Sequence, residues 1–263
     1  MGGVWYADGV ISIAVCNQKG GVGKTTTVGA LAMVLSRAGH RVHLIDVDPQ
    51  ASLSRRVFSH TDNQGLLYQA LFKRISLPMI ECDDKLSLTP SSIHLAKGES
   101  QFLSLPAREY LLRKALEQTE LPDDALVIID CPPSLGVLTF NCLTAADRVV
   151  IPIIADELAA DVLPNLNETI KTTRNHLNPS LKVLGVVLTR VDRRQKIAAI
   201  FEKNISRAYP LLGSVHSESN LQYAIGGGTL QELRSSRALG DYEEIAKAIS
   251  KEVWKKTKSS AVA

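Results

Sequence analysis

A glycine-rich stretch at residues 17–27 (NQKGGVGKTTT) lies between an apolar run and a helical pattern, and few folds accommodate that order. Residues 10–16 are typical of a buried strand and residues 28–37 of a helix. Glycines let the backbone curl so that successive N–H groups converge on one anion, and the following helix adds unpaired N–H groups. In such a loop Lys24 supplies positive charge to phosphates, and the Thr25 hydroxyl is placed for Mg²⁺. The stretch therefore predicts a phosphate-binding loop.

The usual form of this loop begins with glycine, but Gln18 stands at that position and a second lysine, Lys19, follows it. The run KGGVGKTT resembles the deviant Walker A motif of the ParA/MinD ATPases, a branch of the P-loop NTPases. The resemblance implies that ATP and Mg²⁺ are the cofactors, that Lys19 and Lys24 are catalytic, and that Lys19 reaches across a dimer interface to the partner's nucleotide. It implies these nucleotide-binding residues: Lys19, Gly20, Gly21, Val22, Gly23, Lys24, Thr25 and Thr26. The alternatives are a glycine-rich turn with solvated lysines and, for Lys19 alone, a merely exposed lysine.

A second motif follows the short apolar strand predicted at residues 41–46. Alternation places Asp46 and Asp48 on one side of an extended chain, near the carboxyl end of a strand, where open α/β sheets bind ligands. With Pro49 and Gln50 they resemble the D-x-D-P-Q switch of ParA-type proteins. The resemblance assigns Asp48 to the attacking water and Asp46 to the Mg²⁺ shell. An acidic turn in which Asp caps a helix is the alternative.

A third motif begins with the continuous apolar run at residues 125–130, which suits a parallel strand buried on both faces. Its last residue, Asp130, would hold Mg²⁺ through water, as the Walker B acid does. The following residues resemble the second switch of the same family, D-x-P-P-S. Pro132 and Pro133 stiffen the loop after the acid, so that a loop sensing the γ-phosphate could move as a unit. The alternative is a proline turn after a core strand.

The remaining pattern alternates strands with helices. Strands are expected at residues 85–90, 148–153, 181–188 and 210–215, and helices at 65–72, 108–118, 158–177 and 196–209. This order predicts an α/β fold with a single doubly wound, mostly parallel sheet flanked by helices. We expect one ATPase domain over residues 1–263, with an N-terminal extension (1–9), a basic tail (251–263) and no N-terminal helix-turn-helix domain. Most of the stretch 61–106 is interpreted as insertions without chemistry of their own.

Net charge, cysteine spacing and the length of the apolar runs limit the class of protein to which the chain can belong. The 263 residues carry a net charge of +3, which permits contact with nucleic acid without arguing for it. The four cysteines show no zinc-like spacing, and no apolar run is long enough to span a bilayer. Without a signal peptide the protein is expected to be cytoplasmic.

The densest basic cluster lies at residues 189–196 (TRVDRRQK). Arg193, Arg194 and Lys196 could clamp DNA phosphates in a salt-dependent, sequence-independent way. In ParA-type proteins the corresponding loop contains a DNA-contacting arginine, matched here by Arg194, and Arg190 lies near the family's adenine-contacting position. Asn220 stands where relatives place a second DNA-binding arginine, so that DNA binding would rest on Arg193, Arg194 and Lys196, with Arg234 or Arg237 as further candidates. A solvated charged loop is the alternative.

These motifs together predict a ParA-type ATPase for plasmid or chromosome segregation. It would form a homodimer in the ATP state, bind nonspecific double-stranded DNA on the nucleoid, and be released when a ParB-like protein stimulates hydrolysis. One alternative, which would not use DNA, is a MinD-like ATPase that is membrane-associated or positions cargo. Its basic C-terminal helix would lie on a membrane, although Ile245, Ile249 and Val253 at four-residue spacing also suit a packed helix. Another is a metabolic or redox relative, such as a nitrogenase-reductase-like protein or an amide ligase.

Overall fold

The computed structural model describes residues 10–62, 64–154, 159–192, 196–218 and 238–254. Within these ranges eight strands form one sheet in the order β3-β4-β2-β5-β1-β6-β7-β8. All neighbouring strands are parallel except β3 and β4, which pair antiparallel. The strands are β1 Ile11–Val15, β2 Val42–Asp46, β3 Ile80–Asp83, β4 Leu86–Thr89, β5 Leu126–Asp130, β6 Arg148–Ile154, β7 Lys182–Val191 and β8 Leu211–His216. The predicted α/β fold with a mostly parallel sheet is confirmed.

Helices cover both faces of the sheet, because its central strands are apolar on both sides. The described helices are α1 Lys24–Arg37, α2 Leu66–Lys73, α3 His94–Phe102, α4 Leu111–Glu117, α5 Val137–Ala145, α6 Ala159–His176, α7 Lys196–Ala208 and α8 Ala238–Val253. Helices α1 and α8 bury their apolar residues in one core, which contains Leu31 and Ile249. Helices α2 to α7 contribute to the second core, on the opposite face.

The centre of the sheet positions the three motifs. Strand β5 pairs with β1 on one side and β2 on the other, and all five of its residues are buried. The register sets Val15 beside Asp130 and Asp46 beside Asp130. Since parallel strands end at the same edge, the glycine loop after β1 and both acids meet there.

The stretch from residue 61 to 106 differs from its interpretation as insertions. Strand β4 is an integral part of the sheet, paired in parallel with β2, and β3 extends the edge beyond it. The sequence did not predict β3, whose residues alternate between half-buried and exposed. Within this stretch, the hydroxyl of Ser91, in the loop after β4, donates to the Asp48 carbonyl at 2.6 Å.

Helix α8 is held against the sheet by the apolar stripe that suits a packed helix. Ile245, Ile249 and Val253 are buried, and α8 contacts β8 and α1. At its end the Trp254 ring stacks on His40, just after α1, with ring centroids 4.0 Å apart. None of the described helices has the length and apolarity needed to cross a membrane.

Candidate nucleotide-binding site

The glycine loop joins β1 to α1 through two backbone conformations that favour glycine. Gly21 has φ = 73° and Gly23 has φ = 88°, both in the left-handed region where a side chain would strain the backbone. Gly23 immediately precedes the first residue of α1, so that the N–H groups at the end of the loop lie at the N-terminus of a helix. Gly20 and Gly21 are exposed, which leaves this part of the loop accessible to an anion.

Two side chains anchor the loop to neighbouring strands. The Asn17 side-chain amide donates to the Pro152 carbonyl at 2.6 Å, and its Oδ1 accepts the Lys19 N–H at 3.0 Å. The Thr189 hydroxyl, at the end of β7, donates to the Val22 carbonyl at 2.8 Å. Both anchors are buried. Asn17 lies in the glycine-rich stretch and Thr189 in the basic cluster, but the sequence motifs assigned neither of them a role in the site.

The Lys24 side chain folds over the loop that precedes it. Its Nζ donates to the Lys19 carbonyl at 3.3 Å, and the residue is only 7% exposed. The ammonium group is therefore kept beside the loop's backbone, where phosphate oxygens could replace the carbonyl as its acceptor.

The two acids at the sheet edge are fully buried and lie on adjacent strands. Burial raises the pKa of Asp46 to about 7, and the Asp48 charge adds to the rise. Burial and the Asp46 charge raise the pKa of Asp130 well above its usual value. Two such carboxylates at close quarters favour either a proton or a cation between them.

The donors around Asp130 fit a magnesium ion. The Thr25 hydroxyl donates to Asp130 Oδ2 at 2.8 Å. The other oxygen, Oδ1, is buried and has no hydrogen-bond partner among the described residues. An uncompensated buried carboxylate oxygen is costly, and Mg²⁺ prefers hydroxyl and carboxylate oxygens. Thr25, Asp46 and Asp130 are therefore the residues that could hold the metal.

Asp48 and the residues after it form a tight turn. The Asp48 N–H donates to Asp46 Oδ1 at 3.2 Å, and the Gln50 N–H donates to Asp48 Oδ1 at 2.9 Å. Ala51 continues the turn with φ = 52°. Pro49 is half-buried and Gln50 exposed, so this predicted switch segment lies at the surface.

A cavity of about 400 Å³ opens between the glycine loop and the ends of β7 and β8. Its lining residues are Gly20, Gly21, Gly23, Lys24, Thr25, Thr26, Asp48, Ser52, Pro133, Thr189, Arg190, Val215, His216, Ser217, Glu218 and Tyr242. The structure thus brings nine predicted residues from the loop, both switches and β7 to one cavity. Lys19, Val22, Asp46, Pro49, Gln50, Asp130 and Pro132 are predicted residues that do not line it.

The end of the cavity away from the glycine loop is built by β7, β8 and α8. Arg190 has φ = 55°, a strained conformation of the kind that clusters at functional sites. Asp241 Oδ2 accepts both the His216 backbone N–H at 2.9 Å and its ring Nδ1 at 2.8 Å. The adjacent Tyr242 hydroxyl is 3.2 Å from the Thr27 hydroxyl of α1. Helix α8 therefore links β8 to α1 beside the cavity.

The second switch loop packs against α3. Pro132 is buried and Pro133 exposed, and a Cβ at Gly136 would collide with the Glu99 carboxylate. The neighbouring thiols Cys16, Cys131 and Cys142 are free and buried. The mutual hydrogen bond with Cys131 and burial raise the pKa of the Cys16 thiol, and burial raises that of Cys131 and Cys142. Such thiols are poor nucleophiles.

The structure describes only some of the residues that the sequence predicts to bind DNA. Arg193, Arg194, Asn220, Arg234 and Arg237 lie outside the described residues. Lys196 is the first residue of α7. The DNA-binding assignments therefore stay predictions.

The family model for an AAA domain matches residues 10–183. The chain is 39% identical over 189 residues to sporulation initiation inhibitor protein Soj of Bacillus subtilis, covering 70% of this chain and 74% of that protein. It is likewise 39% identical over 200 residues to the chromosome partitioning protein ParA of Caulobacter vibrioides, covering 73% and 74%.

Solved structures show the same fold. Cobyrinic acid a,c-diamide synthase from Mycobacterium smegmatis, with bound ADP and magnesium, has a TM-score of 0.80 at 32% identity and covers 94% of this chain and 96% of its own. A Borrelia burgdorferi protein described as a plasmid partition protein, bound to AMPPNP, has a TM-score of 0.79 at 26% identity and covers 93% and 99%.

Proposed function

The chain belongs to the ParA/Soj family of P-loop partitioning ATPases, and on that premise we propose that it is a Mg²⁺-dependent ATPase for DNA segregation that dimerises around ATP. The convergence of Lys24, Thr25 and Asp48 on one cavity carries this proposal. Nucleotide-bound relatives with the same fold support the choice of ATP and Mg²⁺ as cofactors.

Each part of the cavity has a role in this proposal. The loop N–H groups and Lys24 bind the phosphates. Thr25, Asp46 and Asp130 would hold Mg²⁺, which would neutralise negative charge on the phosphate oxygens. Asp48 orients the attacking water, since its side chain lies at the cavity beside the loop. Arg190 contacts the nucleotide at the far end, where β7 ends.

Assembly controls hydrolysis in this proposal. Lys19 completes the partner's site, so that the full set of charges around the transferring phosphate exists only in the dimer. The segments at Pro49-Gln50 and Pro132-Pro133 begin three and two residues after the buried acids Asp46 and Asp130, and Asp48 and Pro133 line the cavity. They are therefore the two segments whose position would change with the state of the nucleotide.

The ATP dimer would use Arg193, Arg194 and Lys196 to bind DNA phosphates without reading sequence. A ParB-like protein would stimulate hydrolysis and release the dimer from the nucleoid. The relatives named for chromosome and plasmid partition support this cellular role.

The test measures binding of the full chain to a nonspecific DNA duplex with ATP, with ADP and without nucleotide, over a series of salt concentrations. We expect binding with ATP only, falling steeply as salt rises, and lost in Arg194→Ala. The matched control is Arg207→Ala, which removes an exposed arginine from the other end of α7 and should bind as the wild type does. ATP-dependent dimers that leave DNA unbound would contradict the DNA role, and sedimentation with anionic liposomes would then test the MinD-like alternative.

One comparison favours a second candidate. The diamide synthase shares the fold at 32% identity over 94% of this chain, so an amide ligase remains an alternative activity. A ligase would hydrolyse ATP only with a carboxylic acid substrate and an amide nitrogen donor. Stimulation by DNA and a ParB-like protein, in the absence of such substrates, would exclude it.

A further inference from the structure

Two buried serines connect the acids of the first switch. Ser54, in the helical turn Leu53–Val57, and Ser91, in the loop after β4, are 0% and 1% exposed. The Ser91 N–H donates to the Ser54 hydroxyl oxygen at 2.9 Å. The two serines therefore form one hydrogen-bonded pair, although 37 positions separate them in the chain.

Ser54 fixes the orientation of Asp46. Its backbone N–H and its hydroxyl both donate to Asp46 Oδ2, at 2.9 Å and 2.6 Å. The other oxygen, Oδ1, accepts the Asp48 N–H. These three donors hold the buried carboxylate in one rotamer and favour its charged form. In contrast, one Asp130 oxygen has no hydrogen-bond partner among the described residues. Of the two buried acids, Asp46 therefore has both carboxylate oxygens hydrogen-bonded, whereas Asp130 has only one.

Ser91 fixes the backbone of Asp48. Its hydroxyl donates to the Asp48 carbonyl at 2.6 Å, across 43 positions of the chain. Asp48 lines the cavity, and the same carbonyl accepts the Ala51 N–H of the following turn at 2.8 Å. The loop after β4 thus restrains the position from which the Asp48 side chain projects.

We propose that Ser54 and Ser91 are positioning residues of the ATPase: Ser54 presents Asp46 to Mg²⁺, and Ser91 holds Asp48 in place for the attacking water. This inference rests on the proposed function. It predicts that the two serines affect different steps, because each contacts a different acid.

The chain offers a closely matched control in Ser12, which lies near the start of β1, at the opposite end from the glycine loop. The Ser12 N–H and hydroxyl both donate to Asp147 Oδ2, at 2.9 Å and 2.8 Å, and its hydroxyl oxygen accepts the Asp147 N–H at 3.0 Å. Ser12 is also fully buried. Ser12→Ala therefore removes the same kind of hydroxyl from the same kind of hydrogen-bond network, away from the cavity.

The experiment compares Ser54→Ala, Ser91→Ala and Ser12→Ala in the full chain. The first readout is the Mg²⁺ concentration that half-saturates binding of AMPPNP, which requires no turnover. The second is kcat and KM for ATP, and the third is the free energy of unfolding without nucleotide. Ser54→Ala should raise the half-saturating Mg²⁺ concentration about tenfold, the lower end of what loss of a group orienting a metal ligand costs. Ser91→Ala should lower kcat with KM and the Mg²⁺ dependence unchanged, whereas Ser12→Ala should change stability alone.

A Ser54→Ala variant with the wild-type Mg²⁺ dependence would show that Ser54 has a structural role only, and would overturn its part of the proposal. Unchanged kcat in Ser91→Ala would overturn the other part, and this variant keeps the Ser91 N–H bond to Ser54 because that donor is backbone. Wild-type protein that does not bind AMPPNP with Mg²⁺ would overturn the proposed function itself. Wild-type binding with unaffected variants would overturn this inference alone.

Discussion

The Thr25 hydroxyl donates to Oδ2 of Asp130, while the second oxygen of the same buried carboxylate is without a partner in the described part of the chain. One side chain from the first turn of α1 and one from the end of β5 thus bring together a hydroxyl and a carboxylate, the kinds of oxygen that Mg²⁺ prefers. The arrangement has a cost in the free protein, because burial disfavours the carboxylate charge.

Replacing Asp130 with asparagine should separate stability from nucleotide binding. Asp130→Asn removes the buried charge and keeps the shape, so the nucleotide-free protein should unfold with the same or a greater free energy in urea. Its Mg²⁺-dependent affinity for AMPPNP should fall at least about tenfold, because a metal ligand is lost. The exposed Asp124 provides the control substitution, Asp124→Asn, which should leave both quantities unchanged. Marked destabilisation of nucleotide-free Asp130→Asn would contradict the expected cost of the buried charge.

The two lysines of the glycine loop should have separable effects. Lys24→Ala removes the buried ammonium beside the loop and should abolish ATP binding, measured by calorimetric titration. Lys19→Ala should still bind ATP as a monomer but fail to form the ATP-dependent dimer, measured by light scattering after size exclusion. If Lys19→Ala dimerised normally, the role of Lys19 across the subunit interface would be wrong.

Thr189 should matter for nucleotide affinity through its hydroxyl alone. Thr189→Val keeps the shape but leaves the Val22 carbonyl without this donor, at a cost of about 1–3 kcal/mol for a buried group. We expect ATP affinity to fall about tenfold, while Thr189→Ser stays near the wild type. Thr173→Val is the control, because the Thr173 hydroxyl is equally buried and bonds within α6. An equal loss of affinity in the control would point to general destabilisation instead.

His43 should make the fold sensitive to acid. Its ring bonds the Ser87 and Thr89 hydroxyls, and burial lowers its pKa from 6.5 to about 4. Because the unfolded chain binds the proton more tightly, this stabilising contribution is complete above pH 6.5 and is lost as the pH falls towards 4. The loss amounts to about 3 kcal/mol.

The measurement is the free energy of unfolding in urea at several pH values between 7 and 4. His43→Gln should lose less stability over that range than the wild type, by about that amount, because its amide does not titrate. The exposed His176→Gln should follow the wild type. Parallel pH curves for the wild type and His43→Gln would show that His43 is not the titrating group.

The sequence predicted the central sheet because its strands are continuous apolar runs, each ending in a recognisable motif. It did not predict β3, since an edge strand is determined by its partner β4 more than by its own pattern. Helix α3 was also missed. Only Leu95, Gly98 and Phe102 of its residues are buried, and Gly98 is needed because a Cβ there would collide with the Tyr68 ring.

The sequence likewise predicted some residues of the candidate site and missed others. Lys24, Thr25 and Asp48 could be placed together because short motifs fix their local geometry. The anchors could not: the Thr189 hydroxyl reaches the Val22 carbonyl across 167 positions, and Ser91 reaches Asp48 across 43. Serine and threonine are common surface residues, and only the folded sheet shows which of them are buried against the loop.

The place of β5 in the sheet has a consequence for synthesis of the protein. Strands β1 and β2 leave the ribosome first, but they do not pair with each other, because β5 lies between them. Strand β1, which precedes the glycine loop, therefore has no neighbouring strand until β5, which ends at Asp130, has left the ribosome. A nascent chain that stops before β5 leaves β1 without a neighbouring strand, because both of its partners, β5 and β6, come later in the chain, whereas β2 can already pair with β4. ATP binding thus becomes possible only after β5 has emerged.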